Sequence, residues 1–179
     1  NDGADFAAYP VEMEADFDLC RRLGVDLVFM PNRDMVYPDD YRYRLTELDE
    51  SLKWEGAHRP GHFDGVLTVV MKLFLLVGPQ RAYFGEKDWQ QLKLVEGMAR
   101  AFFLPVEVVP CATVRDSNGL ALSSRNTRLS EEGRSRAAAF HRILASADSA
   151  AAAEEALRAE GFETEYVVDC DRRRMGAVI

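Results

Sequence analysis

The amino-acid sequence predicts an α/β fold in which a doubly wound parallel sheet is followed by a small α+β domain. Apolar runs with strand character alternate with helical patterns between residues 25 and 109, as they do when helices cover both faces of a parallel sheet. At Gly85 the apolar positions change from strand spacing to helical spacing. Beyond residue 112 the sequence pattern predicts mainly turns and amphipathic helices. We therefore expect a first domain over residues 1–112 and a second over residues 113–179.

The composition limits the classes of function. The chain has 179 residues, of which 47% are hydrophobic, so it can bury a substantial core. Its net charge of −8 argues against a nucleic-acid or membrane-surface partner, because both select basic faces, and favours a small-molecule partner. The three cysteines, Cys20, Cys111 and Cys170, lie far apart in sequence. They indicate neither a disulfide framework nor a thiolate zinc site, and a reducing cytoplasm fits best.

The first predicted elements are a helix and a buried strand. Pro10 lies in the first turn of an amphipathic pattern that includes Phe17 and stops at Gly24. Residues 25–30 form an apolar run closed by a proline, which predicts a strand buried on both faces. Residues 37–41 contain a turn in which the adjacent aspartates are more typical of turn formation than of metal binding.

A glycine-rich loop with two histidines covers residues 54–65. His58 and His62 have the spacing of helical metal ligands, but Pro60 opposes the helix that would bring the rings together, so a zinc site is not indicated. Two interpretations remain open, namely a substrate-binding loop and a rigid elbow in which Arg59 forms a surface ion pair. In residues 66–77 the apolar positions lie on almost every side of a helix, which predicts a buried core helix.

The corner at Gly85 predicts an anion-binding turn. Residues 82–84 have strand character, and from Trp89 onward the apolar positions fall on one helical face. A glycine at this corner lets a ligand approach the backbone, and the first helical N–H groups attract anions. Lys87 adds a mobile ammonium, although the pattern is not a Walker A loop. A plain βα turn with a solvated lysine beside an aspartate cap is the alternative.

A second candidate phosphate site follows the buried strand predicted at residues 106–109. A turn there leads to Ser123, Ser124 and Arg125. Two hydroxyls and a planar guanidinium can together grip phosphate oxygens. A polar loop before a helix is the alternative interpretation.

The remaining pattern predicts a small α+β domain. Ser130 is expected to cap one helix, and Gly161 to stop the next. A strand is expected over residues 164–168, followed by a solvated edge at the arginines of residues 172–174. His141 is expected to be structural.

Three segments taken together resemble the pantothenate synthetase (pantoate–β-alanine ligase) family. They are residues 55–63, residues 84–91, and residues 113–115 running on to residues 122–126. The resemblance implies a Rossmann-like nucleotidyltransferase fold with a small C-terminal lid domain, usually as a homodimer. It also implies an AMP-forming ligase reaction in which ATP, with Mg²⁺, adenylates pantoate and β-alanine then displaces AMP to give pantothenate.

The resemblance further implies roles for individual residues. Lys87 and Arg125 would be the catalytic cations at the phosphates, and Gln91, Tyr9 and Arg59 would bind pantoate, with His62 near the substrates. The ATP-binding residues would be Gly85, Glu86, Lys87, Asp88, Val114, Leu122, Ser123, Ser124 and Arg125. No residue is implied as a direct ligand of the metal.

The sequence departs from the family pattern in one respect. Family members carry a His-x-Gly-His stretch that holds the phosphates and a segment with a second pantoate glutamine, and neither occurs in residues 1–179. The stretch from His58 to His62 has one residue too many to replace the histidine motif. We therefore expect a family member that lacks its first βα units. A noncatalytic nucleotide-binding protein and another adenylyltransferase or cytidylyltransferase of the same superfamily are the alternatives, the latter disfavoured by Gln91.

Overall fold

A computed structural model describes residues 13–178 of the chain. Its main elements follow one another as α1 (Met13–Arg22), α2 (Arg33–Val36), α3 (Glu55–His58), α4 (His62–Val77), β1 (Arg81–Gly85), α5 (Trp89–Ala101), β2 (Glu107–Cys111), α6 (Glu131–Ser146), α7 (Ala150–Ala159), β3 (Thr164–Cys170) and β4 (Arg173–Val178). Short 3₁₀ turns lie at Glu50–Leu52, Glu86–Asp88 and Ser124–Arg128.

A parallel βαβ unit forms the centre of the first domain. Strands β1 and β2 pair in parallel, from Arg81 opposite Glu107 to Gly85 opposite Cys111, and α5 makes the crossover between them. A parallel pair requires a connection of this kind, because the second strand must restart at the same end as the first. The predicted α/β fold with a parallel sheet is thereby confirmed.

The first core lies between α4, α5 and the parallel pair. Its most buried side chains are Leu67 on α4, at 1% exposure, and Val95 on α5, at 0%. The other buried members are Phe63, Leu94 and Met98. Partly buried side chains from both strands, including Phe84 and Val108, pack against this cluster. Burial of these apolar groups stabilises the layer of helices on the sheet.

The C-terminal part has its own core. Helices α6 and α7 pack on an antiparallel hairpin of β3 and β4, called the C-terminal hairpin below. The buried residues of this core are Ala139, Ile143, Ala153 and Leu157. The hairpin turns at Asp171 and Arg172, both with positive φ, as two-residue turns that match strand twist require. The arrangement is the α+β unit that the sequence predicts.

Several helix ends lie where the sequence predicts them. The Ser130 hydroxyl oxygen accepts a hydrogen bond from the N–H of Gly133 at the start of α6. Gly24 and Gly161 follow the ends of α1 and α7 with φ of 70° and 82°. Such left-handed conformations favour glycine because it has no Cβ.

The strand predicted at residues 25–30 does not form. No strand is assigned there, and the apolar side chains lie at the surface, with Leu27 76% and Met30 52% exposed. An apolar run becomes a strand only where a neighbouring strand supplies hydrogen-bond partners. Within residues 13–178 the parallel sheet consists of β1 and β2 alone.

Helix α4 is less buried than its composition predicts. Phe63, Leu67 and Thr68 are its buried residues, whereas Leu75 and Leu76 are 69% and 54% exposed. The reason is that α5 and the parallel pair cover one side of the helix. Among the described helices none is both long and apolar enough to cross a bilayer.

The predicted turn at residues 37–41 is anchored to α4 by a charge pair. The Lys72 ammonium lies 2.8 Å from Asp39 Oδ1, and the N–H of Tyr43 donates to Asp39 Oδ2 at 2.8 Å. The hydrogen bond from Lys72 is the main reason that the pKa of Asp39 falls from its ordinary value of 3.8 to about 2. The Asp39 carboxylate is therefore a structural acceptor.

We predict that Asp39 contributes to acid sensitivity. Because its pKa is lowered in the folded state, its stabilising contribution is present above about pH 4 and is lost as the pH falls through about 2. The free energy of unfolding should therefore decrease less steeply over this range in Asp39→Asn than in the wild-type protein. Urea unfolding at a series of pH values measures the difference. Asp40→Asn, whose carboxylate is 86% exposed, is the control, and identical slopes for wild type and Asp39→Asn would contradict the prediction.

Candidate functional site

Gly85 ends β1 at the carboxyl edge of the parallel pair. Its φ is −71°, so the backbone conformation does not require glycine. A Cβ added there would have no atom of the described part of the chain within 4 Å. The space in front of this backbone is therefore open, which a ligand needs in order to approach it closely.

Residues 85–88, called the glycine turn below, lead from β1 into α5. The structure has a 3₁₀ turn at Glu86–Asp88, where the sequence predicts a direct change from strand to α-helix. The Lys87 side chain is 43% exposed, and its ammonium lies 3.5 Å from Asp88 Oδ1. Asp88 occupies the N-cap position of α5, but its side chain makes no capping hydrogen bond. The aspartate cap considered from the sequence is therefore not observed.

The Glu86 carboxylate is bound by an arginine from the C-terminal hairpin. Both terminal nitrogens of Arg173 donate to Glu86, each at 2.9 Å. The hydrogen bonds from Arg173 lower the pKa of Glu86. The Glu86 side chain is therefore engaged by Arg173, and the role of Glu86 in ATP binding stays a prediction.

The predicted solvated edge at residues 172–174 is wrong for two of its arginines. Arg173 binds Glu86, and Arg174 donates to Asp169 Oδ1 at 2.7 Å and to the carbonyl oxygens of Leu144 and Ala147. The Arg174 side chain is only 14% exposed. These contacts depend on the register of the hairpin, which a run of arginines in a sequence does not reveal.

Gln90, which the sequence analysis does not single out, joins the start of α5 to residues 50–55. Its side chain is buried, and its amide nitrogen donates to the carbonyl oxygens of Glu50 and Lys53 at 2.7 and 2.8 Å. Its carbonyl oxygen accepts from the N–H of Glu55 at 3.2 Å. The available signal is that position 90 precedes Leu94 by one helical turn on the apolar face of α5. Gln91 is the next residue of α5. It is half-buried, and the turn of the helix directs its side chain away from that of Gln90.

The loop at residues 54–65 forms a rigid elbow. Gly56 is required by packing, because a Cβ there would lie 1.8 Å from the carbonyl oxygen of Ser51. Arg59 forms an ion pair with Glu55 at 3.0 Å, and its Nη1 lies 3.4 Å from His62 Nε2. Burial, and then the Arg59 charge, lower the pKa of His62. The elbow interpretation is thereby supported, and the binding role of Arg59 stays a prediction.

The two histidines of the elbow have different neighbours. The His58 ring stacks on Tyr166 of the C-terminal hairpin, with 5.9 Å between centroids. The His62 ring lies 5.0 Å from that of Phe63. Burial is the main cause that raises the pKa of Tyr166 to about 12. The elbow therefore contacts the start of α5, through Gln90, and the C-terminal hairpin, through His58.

The second predicted phosphate site is a compact turn. Asp116 Oδ1 accepts from the N–H groups of Asn118 and Leu120, which closes the loop before it. The Ser123 hydroxyl oxygen accepts from the N–H of Arg125 at 3.3 Å. Its hydroxyl proton can still donate to a ligand, because accepting a hydrogen bond does not use it.

The apolar residues assigned to the ATP site lie at the surface. Val114 and Leu122 are 66% and 56% exposed. Tyr9 lies outside the described residues. The convergence of Lys87 with residues 122–125 on one triphosphate stays a prediction, whereas the elbow and the start of α5 are brought together through Gln90.

Comparison with known proteins establishes the family. The family model described as Pantoate-beta-alanine ligase matches residues 1–177. The chain belongs to the pantoate-beta-alanine ligase family. Members of this family are ligases, and the resemblance that the three sequence segments indicate is confirmed.

Curated relatives agree with this assignment. A pantothenate synthetase of Bdellovibrio bacteriovorus is 49% identical over 177 residues, which are 99% of this chain and 70% of the relative. A pantothenate synthetase of Coxiella burnetii is 48% identical over 178 residues, with 99% and 69% covered. The chain therefore spans about 70% of the length of these relatives.

Solved structures of the family have the same fold. A pantothenate synthetase from Thermus thermophilus matches with a TM-score of 0.87 at 48% identity, over 93% of this chain and 65% of the other. A pantoate-beta-alanine ligase from Francisella tularensis, described as complexed with beta-gamma ATP and beta-alanine, matches with a TM-score of 0.87 at 29% identity, over 99% and 73%. The chain thus spans slightly less than two thirds of the Thermus structure. The Rossmann-like nucleotidyltransferase fold expected from the sequence is confirmed.

We predict that the neighbouring glutamines of α5 differ in their effect on stability. Gln90→Ala removes a buried amide from two carbonyl oxygens and one N–H group, and should lower the free energy of unfolding by about 2–3 kcal/mol. Gln91→Ala, the matched variant, should lower it by less than about 1 kcal/mol, since Gln91 is only half-buried. Urea unfolding followed by circular dichroism measures both. Equal losses would show that the Gln90 network does not stabilise the fold.

Proposed function

We propose that the protein catalyses the ATP-dependent condensation of pantoate with β-alanine to pantothenate, through a pantoyl adenylate, with release of AMP and pyrophosphate. Membership of the pantoate-beta-alanine ligase family carries the proposal. The open backbone at Gly85 and the exposed ammonium of Lys87, both at the carboxyl edge of the parallel pair, support it. Ligands of open α/β sheets bind at this edge.

Positioning and charge stabilisation account for most of the proposed chemistry. The pantoate carboxylate is already a nucleophile and needs no strong base. The difficult part is to place two anions in line and to stabilise the charge that develops on the α-phosphate. Lys87, Arg125 and the first N–H groups of α5 would supply positive charge and hydrogen bonds for this.

The residues present fit a Mg²⁺ ion that is bound together with ATP. Mg²⁺ keeps several waters and is usually held by phosphate oxygens and one or two carboxylates, so a cage of protein ligands is not needed. Asp88, whose side chain is 62% exposed, offers one carboxylate at the glycine turn. When bound, Mg²⁺ would neutralise charge on the triphosphate.

The remaining parts of the assignment follow the family. Gln91 and Arg59, with Tyr9, would bind pantoate, and Ser123, Ser124 and Arg125 would close over the nucleotide as part of a C-terminal lid that begins near residue 113. We also infer a homodimer located in the cytoplasm. Sedimentation analysis of the purified protein tests the dimer.

Pantoate-dependent exchange of pyrophosphate into ATP tests the proposed function directly. The protein is expressed from its complete coding sequence, and activity with pantoate is compared with activity on other small carboxylic acids. Pantoate-dependent exchange, followed by pantothenate formation on addition of β-alanine, is the expected result. ATP binding without exchange would favour the noncatalytic alternative, and exchange with a different acid would favour another adenylyltransferase.

We predict that Lys87→Ala reduces the rate of adenylation by about a hundredfold or more, because a charge-stabilising donor is lost from the transition state. Its stability should change by less than about 0.5 kcal/mol, since the side chain is exposed. Lys53→Ala is the control, because the Lys53 side chain is also 43% exposed. Comparable activity of the two variants would remove Lys87 from its assigned role.

We predict that Gln91→Ala mainly raises the KM for pantoate, because the amide would bind the substrate and take no part in the bonds that change. The KM for ATP should stay close to the wild-type value. Steady-state kinetics with each substrate varied in turn separates the two constants. A parallel rise in both would indicate that Gln91 shapes the site as a whole.

A further inference from the structure

The C-terminal hairpin reaches the glycine turn through Arg173. The two terminal guanidinium nitrogens each lie 2.9 Å from a different oxygen of Glu86. The Glu86 side chain is 22% exposed and that of Arg173 is 42% exposed, so solvent screens the pair only in part. Bidentate pairs of this kind fix direction as well as distance.

Trp89 adds a second contact to the same guanidinium. The central carbon of Arg173 lies 4.2 Å from the centroid of the Trp89 ring, within the range of a cation–π interaction. Trp89 is the first residue of α5 and directly follows the glycine turn. Arg173 therefore contacts the residue before Lys87 and the residue after Asp88.

The backbone of Arg173 is held in place by the C-terminal hairpin. Arg173 is the first residue of β4 and pairs with Cys170 across the hairpin. Its neighbour Arg174 binds Asp169 and two backbone carbonyl groups of the C-terminal domain. The stacking of His58 on Tyr166 makes an independent contact between the hairpin and the elbow. The C-terminal hairpin thus contacts the first domain at two places, the segment from Glu86 to Trp89 and the elbow.

The glycine turn has few ties of its own. Among the residues that the structure describes, the Asp88 side chain makes no capping hydrogen bond, the Lys87 ammonium makes a long contact with Asp88 and no other, and no atom lies within 4 Å of a Cβ built on Gly85. An unpaired carboxylate at position 86 would also repel a triphosphate that approaches Lys87. Arg173 fixes the side chain of Glu86, which adds a tie to the glycine turn, and it also neutralises the charge of the carboxylate.

We propose that Arg173 is a positioning residue for ATP, which acts through Glu86 to fix the glycine turn and to cancel the carboxylate charge beside Lys87. The inference rests on the proposed function, since it takes residues 85–88 as the nucleotide-binding turn. It makes nucleotide binding dependent on docking of the C-terminal hairpin. No contact between Arg173 and the nucleotide itself is required.

Kinetics of pyrophosphate exchange test the proposal in protein expressed from its complete coding sequence. Arg173→Ala should raise the KM for ATP about tenfold or more, with a smaller change in kcat and in the KM for pantoate. Arg173→Lys should recover part of the loss, because it restores the charge without the planar fork. Arg81→Ala is the matched control, since Arg81 pairs with Glu107 at 2.8 Å at the opposite end of β1, and its kinetics should stay at the wild-type level.

A double-mutant cycle shows whether Arg173 acts through Glu86. In the Arg173→Ala background, Glu86→Gln should cause no further loss of ATP affinity and should restore part of it, because the repelling charge is gone. Fold-changes that simply multiply would overturn the proposal. It would also be overturned by an unchanged or lowered KM for ATP in Arg173→Ala, or by a loss of activity that follows a loss of folded protein in thermal unfolding.

Fluorescence of Trp89 separates this inference from the proposed function. In a Trp54→Phe background Trp89 is the remaining tryptophan of residues 1–179, and its emission should change in Arg173→Ala without any substrate. Titration with ATP then gives a Kd that does not depend on catalysis. Wild-type protein without pantoate-dependent exchange would refute the proposed function alone. Normal exchange, with equal Kd values for wild type and Arg173→Ala, would refute the positioning role alone.

Discussion

Parallel pairing of β1 with β2 is the constraint on which the described structure depends. Two parallel strands need a crossover, and α5 supplies it while burying Val95 and Met98 against α4. Because the crossover starts where β1 ends, the glycine turn must lie at the carboxyl edge of the pair. The position of the candidate site therefore follows from the same hydrogen bonds and apolar contacts that hold the first domain together.

Local sequence patterns predict the elements that are stabilised locally. The change of period at Gly85, the cap at Ser130 and the stop at Gly161 all depend on neighbours within a few residues, and each lies where the pattern indicates. The family, too, could be identified from three short segments, and the family model that matches residues 1–177 agrees with them. Residue 112 as a domain boundary stays a prediction.

Features that depend on distant partners could not be predicted. Residues 25–30 have strand composition, but composition does not provide the neighbouring strand that a sheet requires. The helical pattern places Gln90 on the apolar face of α5 but does not reveal its partners, which are backbone groups of residues 50–55. Arg173 meets Glu86 across 87 positions of sequence. In each case the deciding contact is set by tertiary packing, which overrides local preference.

The empty volume in front of Gly85 has a consequence for sequence variation. No atom of residues 13–178 would collide with a methyl group at this corner, and the backbone conformation there is accessible to any L-amino acid. Gly56 is the opposite case, because a carbonyl group already fills the space that a side chain would need. Folding of the described residues therefore restricts Gly56, whereas any restriction at Gly85 must come from whatever occupies the space in front of it. Substitutions recovered at the corner would report on occupancy of the site and not on the integrity of the chain.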